Sequence, residues 1–141
     1  MIKEFSINDN KGYHYIVDIA NALGKNVKAM QHGYFPIKNN IYAWCPQIAV
    51  LENGKTVSQS KHGWINTLSN DGSEIIETTD DLESMSELKE QSDYLRVTFV
   101  KEKNIDYRFV GIFVYDYIKS TKNQRHYYRI SKMFEVENVE K

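Results

Sequence analysis

The apolar positions near the N-terminus predict an amphipathic helix from about Lys11 to Leu23. Five apolar residues recur there at spacings of three and four, which puts them on one helical face: Tyr13, Ile16, Val17, Ala20 and Leu23. Asparagine and aspartate residues just before the segment offer N-caps, and Gly24 suits the position just past its end. We expect this stripe to pack against a sheet.

The last third of the chain shows the strongest strand patterns. Tyr94 to Lys101 alternates between apolar and polar residues, and Tyr107 to Ile118 is apolar on both faces. Two apolar faces indicate a central strand that is covered on both sides, or a strand inside a barrel. Gly111 predicts a bend or bulge. A last strand from about His126 to Val136 completes an antiparallel meander.

The middle of the chain is less regular. The strand-like run Ile41 to Leu51 contains Pro46, which predicts an edge strand, a bulge or a strand end. Asn53-Gly54 predicts a hairpin, Ser58 to Asp71 is polar and indicates a loop, and Ser73 to Glu77 indicates a short strand.

An acidic segment predicts a second, surface helix over residues 80–91. Asp80 and Glu83 have capping-box spacing, and only a thin apolar stripe follows. Between Glu74 and Asp93 a single base, Lys89, stands among eight acids: Glu74, Glu77, Asp80, Asp81, Glu83, Glu87, Glu90 and Asp93.

These elements predict an α+β fold. We expect a small curled antiparallel sheet or partly closed β-barrel, with the N-terminal helix packed on it and the acidic helix on the surface. A length of 141 residues without linkers or repeats fits one domain, residues 1–141.

Composition narrows the setting of the protein. Cys45 is the only cysteine, so no internal disulfide can form, and a lone thiol is typical of a reducing compartment. No run of eighteen apolar residues occurs, so we expect a cytoplasmic protein without a membrane span. The abundance of asparagine and lysine is compatible with an AT-rich bacterial or phage genome.

Catalytic and metal-binding signals are weak. Cys45 with His32 or His62 could form a nucleophile and base, but no family signature surrounds the cysteine. The four histidines lack zinc-ligand spacing, and no glycine-rich phosphate loop occurs. A nuclease of the restriction type would need an acid and a Glu-x-Lys on adjoining strands to hold Mg²⁺. The only Glu-x-Lys, Glu87-Leu88-Lys89, lies on the predicted acidic helix instead, so the signal for a nuclease is poor. We therefore expect no catalytic residue, metal or cofactor, with an enzyme assembled from distant residues as an alternative.

Binding signals are concentrated in aromatic and basic side chains. Trp44, Trp64, Tyr34 and Phe35 lie beside turns, where aromatic rings can stack on a base or form a cage. The alternative for Trp44 and Phe35 is that they plug one end of a barrel. We predict that these four residues bind a ligand.

The segment 119–132 contains five bases and no acid, which is typical of a surface that contacts a polyanion. Tyr127 and Arg129 alternate on the last strand and are predicted to bind the ligand together. The predicted phosphate contacts are Lys119, Lys122, Arg125 and Lys132. A solvated hairpin is the alternative interpretation of this segment.

Two segments resemble a known superfamily: Tyr107-Arg108-Phe109-Val110-Gly111-Ile112-Phe113 and Tyr127-Tyr128-Arg129-Ile130-Ser131. They are similar to the closing strand pair of PUA-like small barrels, which include ASCH, EVE and YTH modules. The resemblance implies a module that reads RNA, or a modified or flipped base in DNA, often alongside restriction systems. It also implies an aromatic pocket near Trp44 and Trp64.

Two partner classes therefore remain open after the sequence alone. The first is a nucleic acid, DNA or RNA, held by the loop aromatics and the basic strand. The second is a protein partner, which the acidic helix would block by mimicking a phosphate backbone. Charge reversal at Glu83 and Glu87 would weaken the second kind of binding and leave the first unchanged.

Overall fold

The computed structural model describes residues 2–52, 55–58, 64–81 and 94–137. One helix and eleven strands make up these ranges. In chain order they are β1 (Ile2–Ser6), α1 (Ile16–Ala22), β2 (Tyr34–Lys38), β3 (Ile41–Trp44), β4 (Val50–Glu52), β5 (Lys55–Ser58), β6 (Ile65–Leu68), β7 (Glu74–Thr78), β8 (Leu95–Val100), β9 (Arg108–Tyr115), β10 (Gln124–Ser131) and β11 (Met133–Glu137). The predicted α+β class is confirmed.

A seven-stranded sheet in the order β2-β3-β8-β9-β10-β7-β6 forms the centre of the fold. The expected antiparallel sheet is present as a mixed one, because β3 and β8 run parallel while the other pairs of the sheet run antiparallel. A parallel pair needs a long connection, and here the chain forms β4 to β7 before it returns. The sheet is open, with β2 and β6 at opposite edges, so it does not close as a barrel.

The predicted meander is confirmed as β8, β9 and β10. Gly111 has a φ of 123°, and the pairing of β8 with β9 shifts register beside it, between Thr98 and Phe99. The predicted final strand is divided at Lys132. Its second half, β11, leaves the large sheet and pairs with β1, a strand that the sequence pattern did not reveal.

Two further expectations need correction. The supposed loop from Ser58 to Asp71 contains β6, which pairs with β7 at the sheet edge. β6 is only four residues long, and its sequence Ile-Asn-Thr-Leu does not alternate between apolar and polar residues, so no strand pattern marked it. The first helix begins at Ile16 rather than Lys11. The backbone of Tyr13 is hydrogen-bonded to that of Tyr107 in an isolated antiparallel bridge, so the chain is extended there.

Two cores lie on opposite faces of the large sheet. On one face, α1 and the β1–β11 pair cover aromatic residues of the central strands; this core contains Phe5, Ile19, Ala20, Leu23, Phe35, Val97, Phe99, Phe109 and Phe134. The second core contains Trp44, Ile48, Ile75, Val100, Val110, Phe113, Tyr115 and Tyr127. Alternation along each strand separates the two sets, as the period of two requires.

The predicted acidic helix falls almost wholly within 82–93, outside the described residues. The predicted hairpin is present as the antiparallel pair β4–β5, although its turn residues also lie outside the described ranges. Within the described ranges the only helix has seven residues, far fewer than a membrane-spanning helix requires.

Candidate functional site

A cleft of about 370 Å³ opens where β3 ends, beside the edge strand β6 and its neighbour β7. The segment 45–49, which follows β3, forms one wall. It crosses from the end of β8 to β6, because Ile48 N–H donates to the Lys101 carbonyl (2.8 Å) and Ala49 N–H donates to the Asn66 carbonyl (2.8 Å). The cleft is lined by Ile16, His32, Gly33, Tyr34, Trp44, Cys45, Pro46, Gln47, Trp64, Asn66, Glu77 and Tyr107.

Three of the four aromatic residues predicted from the sequence line this cleft: Tyr34, Trp44 and Trp64. Trp44 is buried, and its ring centroid lies 4.6 Å from that of Tyr127. Trp64 is half-buried, with the Arg125 guanidinium carbon 4.0 Å from its ring centroid. The structure therefore places aromatic rings from β2, from β3 and from the residue before β6 around one space.

Glu77 and Asn66 supply polar groups to the same cleft. They are direct cross-strand partners on β7 and β6, so their side chains share a face of the sheet. Glu77 Oε1 accepts a hydrogen bond of 2.7 Å from the Tyr127 hydroxyl. Asn66 Nδ2 donates to the Gln47 carbonyl (3.3 Å), and its Oδ1 is buried without a hydrogen-bond partner in the described part of the chain.

Neither Glu77 nor Asn66 was among the predicted site residues. Asn66 lay in a segment interpreted as a loop, and Glu77 was counted with the acidic cluster. The spacing of these residues could have pointed to the site. Asn66 lies two residues after Trp64, and Glu77 lies two residues after Ile75. Each pair therefore faces one side of its strand.

Tyr127 holds the Glu77 carboxylate in place from below. Its side chain is 1% exposed, and burial, followed by the Glu77 charge, raises its pKa well above 10. The phenol thus stays protonated at neutral pH and donates a hydrogen bond to the carboxylate. Glu77 keeps further lone pairs for a ligand, because an ionised carboxylate can accept about four hydrogen bonds.

Arg96 lies beneath these aromatic residues. Its side chain is 4% exposed, and its guanidinium carbon lies 4.6, 4.8 and 4.7 Å from the ring centroids of Tyr34, Trp44 and Tyr127. Stacking of this kind replaces part of the hydration that a buried cation loses. Among the ion pairs between described residues, none involves Arg96, and its Nε has no hydrogen-bond partner there.

Cys45 lines the cleft but is not set up as a nucleophile. Burial raises the pKa of its thiol to about 12, so it is uncharged at neutral pH. His32 also lines the cleft, whereas His62 lies outside the described residues. No cluster of three or more metal-ligating side chains occurs in the parts of the chain that the structure describes.

The other predicted ligand residues lie away from the cleft opening. Phe35 is 4% exposed and belongs to the core beneath α1. Tyr127 lies behind the cleft, against the lining residues Trp44 and Glu77. Arg129 Nη1 donates to the carbonyls of Gly72 (3.1 Å) and Val110 (3.3 Å), so it ties the β6–β7 turn to β9.

The four predicted phosphate contacts do not form one strip. Lys119 and Lys122 are exposed in the β9–β10 turn, where Lys119 Nζ lies 3.7 Å from Glu74. Arg125 stacks on Trp64 beside the cleft. Lys132 follows the far end of β10, roughly 23 Å along the strand from Arg125 at about 3.3 Å per residue.

Comparisons with known proteins agree with this architecture. The family model described as "SRA: SET and RING associated domain" matches residues 2–136. A solved structure described as "The 5-Hydroxymethylcytosine-Specific Restriction Enzyme AbaSI" has a TM-score of 0.73 and 24% sequence identity. That match covers 97% of this chain and 44% of the other chain, so this chain spans less than half of its length. No curated protein matches the chain.

Proposed function

The chain belongs to the SRA (SET and RING associated domain) family, and on this premise we propose that it binds DNA and holds one modified cytosine base in the cleft between Trp44 and Trp64. The predicted PUA-like resemblance is confirmed at the level of the superfamily. The finer likeness to ASCH, EVE and YTH modules stays a prediction, because the matched family is SRA.

The observation that carries the proposal is the pairing of a carboxylate with an amide inside an aromatic cleft. Cytosine offers an exocyclic amine, which a glutamate or aspartate accepts. Glu77 has lone pairs for that amine, and Asn66 has a second amide N–H for the adjacent ring nitrogen or carbonyl oxygen. Thymine presents an oxygen in place of the amine and would therefore meet the Glu77 carboxylate with repulsion.

Aromatic walls suit a base that has left the duplex. A base that is stacked and paired cannot enter a cleft of this kind, so binding requires extrusion, which costs a few kcal/mol. Stacking on Trp44 or Trp64 offsets this cost, since base–aromatic stacking contributes about 1–3 kcal/mol per base. Trp64, with Arg125 over its ring, is half-buried, whereas Trp44 is buried.

We propose 5-hydroxymethylcytosine as the modified base. The similar solved structure is named for that base, and this cleft has a buried group suited to its hydroxyl. Tyr34 lines the cleft, and its hydroxyl is buried without a hydrogen-bond partner in the described part of the chain. A buried polar group without a partner is costly, and a hydroxymethyl group would satisfy it.

Binding to three otherwise identical DNA duplexes tests the proposal. One central position carries cytosine, 5-methylcytosine or 5-hydroxymethylcytosine, and an RNA duplex of the same sequence serves as a fourth ligand. Fluorescence anisotropy at 50, 100 and 200 mM salt should show tightest binding to the hydroxymethylated DNA at each concentration. We expect a preference of about tenfold, because a good set of base contacts discriminates by about 1–3 kcal/mol. Equal affinity for the three DNA duplexes would refute the proposal.

The acidic-helix alternative depends on residues outside the described ranges. The titration also addresses it, because a chain that mimics a phosphate backbone should bind none of these oligonucleotides.

A further inference from the structure

A second aromatic surface lies beside the cleft. Tyr34 stacks on Tyr42 with ring centroids 4.6 Å apart and an interplanar angle of 13°. Tyr42 stacks on Tyr94 in turn, at 4.9 Å and 7°. Cross-strand pairing of Tyr34 with Trp44, and of Tyr42 with Arg96, puts this stack on the face of the sheet that carries the cleft.

The stack leads from the cleft to a separate groove. Tyr34 lines the cleft, whereas Tyr42 and Tyr94 line a groove of about 530 Å³ at the β2–β3 hairpin. The remaining groove residues are Lys25, Pro36, Ile37, Lys38, Asn39 and Asn40. Two lysines and two asparagines thus meet two tyrosines, and no acidic side chain lines the groove among the described residues.

We propose that this hairpin groove binds the DNA strand that flanks the extruded base. In this arrangement Lys25 and Lys38 neutralise backbone phosphates, and Tyr42 and Tyr94 pack against sugars or bases. The inference rests on the proposed function, because it assigns the path of the same DNA beyond the cleft.

Three observations support this occupant. The groove chemistry complements a polyanion, since lysines bind phosphates and tyrosines stack on nucleotides. The groove is continuous with the cleft through the Tyr34–Tyr42 stack. The two stacking distances place the Tyr94 ring no more than about 10 Å from the Tyr34 ring, a span of at most about three nucleotides at 3.4 Å per nucleotide of B-form strand.

The groove brings two lysines together, whereas the bases of the segment 119–132 lie apart from one another. Lys132 lies far along β10 from Arg125, and Lys119 is near Glu74. The lysines of the groove have no acidic partner within ion-pair distance in the described residues; Lys38 is exposed, and half-buried Lys25 has its Nζ 5.8 Å from the Phe35 ring centroid.

Removing the two lysines tests the groove. The Lys25→Ala/Lys38→Ala double variant should bind modified and plain duplexes more weakly by the same factor. The salt dependence of log K should fall in slope by about 2, because each lost phosphate contact reduces it by about 1. Lys103→Ala is the matched control, since this exposed lysine lies in the β8–β9 turn outside the groove.

Tyr94→Ala gives a second, uncharged readout. It removes the ring at the groove end of the stack and should weaken both duplexes by the same factor without changing the salt slope. Tyr128→Ala is its control, because Tyr128 is exposed on β10 next to Tyr127 and faces the other side of the sheet. Thermal melting confirms that each variant is folded.

The outcomes separate the groove from the proposed function. If the double variant keeps wild-type affinity and salt slope while the wild type prefers modified DNA, the groove inference is refuted and the proposed function stands. A double variant that loses only its preference for the modified base would also refute it, since the groove would then belong to the base site. A wild type without preference refutes the proposed function, whatever the lysine variants do.

Discussion

Replacing Glu77 by glutamine removes one charge from the cleft and almost nothing else. The Tyr127 hydroxyl, 2.7 Å from Glu77 Oε1, can still donate to a glutamine carbonyl, so the hydrogen bond behind the cleft is kept. The free energy of unfolding of the variant should therefore lie within about 1 kcal/mol of the wild-type value, since one neutral hydrogen bond contributes about that much.

The loss should appear in base recognition. In the proposed complex the carboxylate accepts a hydrogen bond from the cytosine amine, and a hydrogen bond to a charged group contributes about 1.5–3 kcal/mol. Since 1.4 kcal/mol corresponds to a factor of ten, affinity for the modified duplex should fall by about 10- to 150-fold. Affinity for plain DNA should change little, because an unextruded base does not reach Glu77.

Fluorescence anisotropy with modified and plain duplexes measures both affinities at one salt concentration. Glu74→Gln is the matched control, because Glu74 is on the same strand, lies near Lys119 and does not line the cleft. If the Glu77→Gln variant bound modified DNA as tightly as the wild type and melted at the same temperature, the assignment of the carboxylate to the cytosine amine would be wrong.

Three further predictions concern the stability of the fold and the role of Arg129, which lies away from the cleft. Burial raises the Cys45 pKa from 9.0 to about 12, so the folded state keeps a proton that the unfolded state releases. The contribution of Cys45 to stability is therefore full well below pH 9 and falls as pH rises toward 12, by about 1 kcal/mol between pH 9 and 10. Urea titrations of Cys45→Ala should lack that loss, and an unchanged slope would contradict the buried thiol. Gly111→Ala should destabilise by about 3 kcal/mol in thermal or urea unfolding, because φ is 123° and the new Cβ would lie 2.5 Å from Arg129 Cδ; a wild-type melting temperature would rule this out. Arg129→Ala should destabilise by about 2 kcal/mol by removing its bonds to two carbonyls, while the ratio of modified to plain affinity stays constant. A lost preference at unchanged stability would instead make Arg129 a ligand residue.

The parts of the fold that the sequence predicted are those determined by local patterns. Alternation and turn residues were sufficient for β8, β9 and β10, because sequential strands with short connections pair as neighbours. The bend or bulge at Gly111 was also predicted from a local feature, a glycine in the middle of an apolar strand. The parallel pairing of β3 with β8 joins segments about fifty residues apart, and the pairing of β1 with β11 joins the two ends of the described chain. No local pattern reports such contacts.

The site shows the same division between local and long-range information. Trp44, Trp64 and Tyr34 were singled out because large aromatic residues beside turns are unusual, and the fold brings them together. For Glu77 and Asn66 the local pattern gives only the face of each strand, and their place in the site comes from pairing with each other across β6 and β7. Phe35 and Trp44 looked equivalent in sequence, but strand alternation sends Phe35 into the α1 core.

The most direct measurement of the central claim is whether the modified base leaves the duplex. A 2-aminopurine placed next to the 5-hydroxymethylcytosine is quenched while it is stacked and brightens when its neighbour is extruded. The wild-type protein should raise this fluorescence in saturating amounts, and the increase should be much smaller with the plain duplex and with Trp64→Ala. Saturated binding of the modified duplex without any increase would mean that the base stays stacked, and the cleft between Trp44 and Trp64 would not be its binding site.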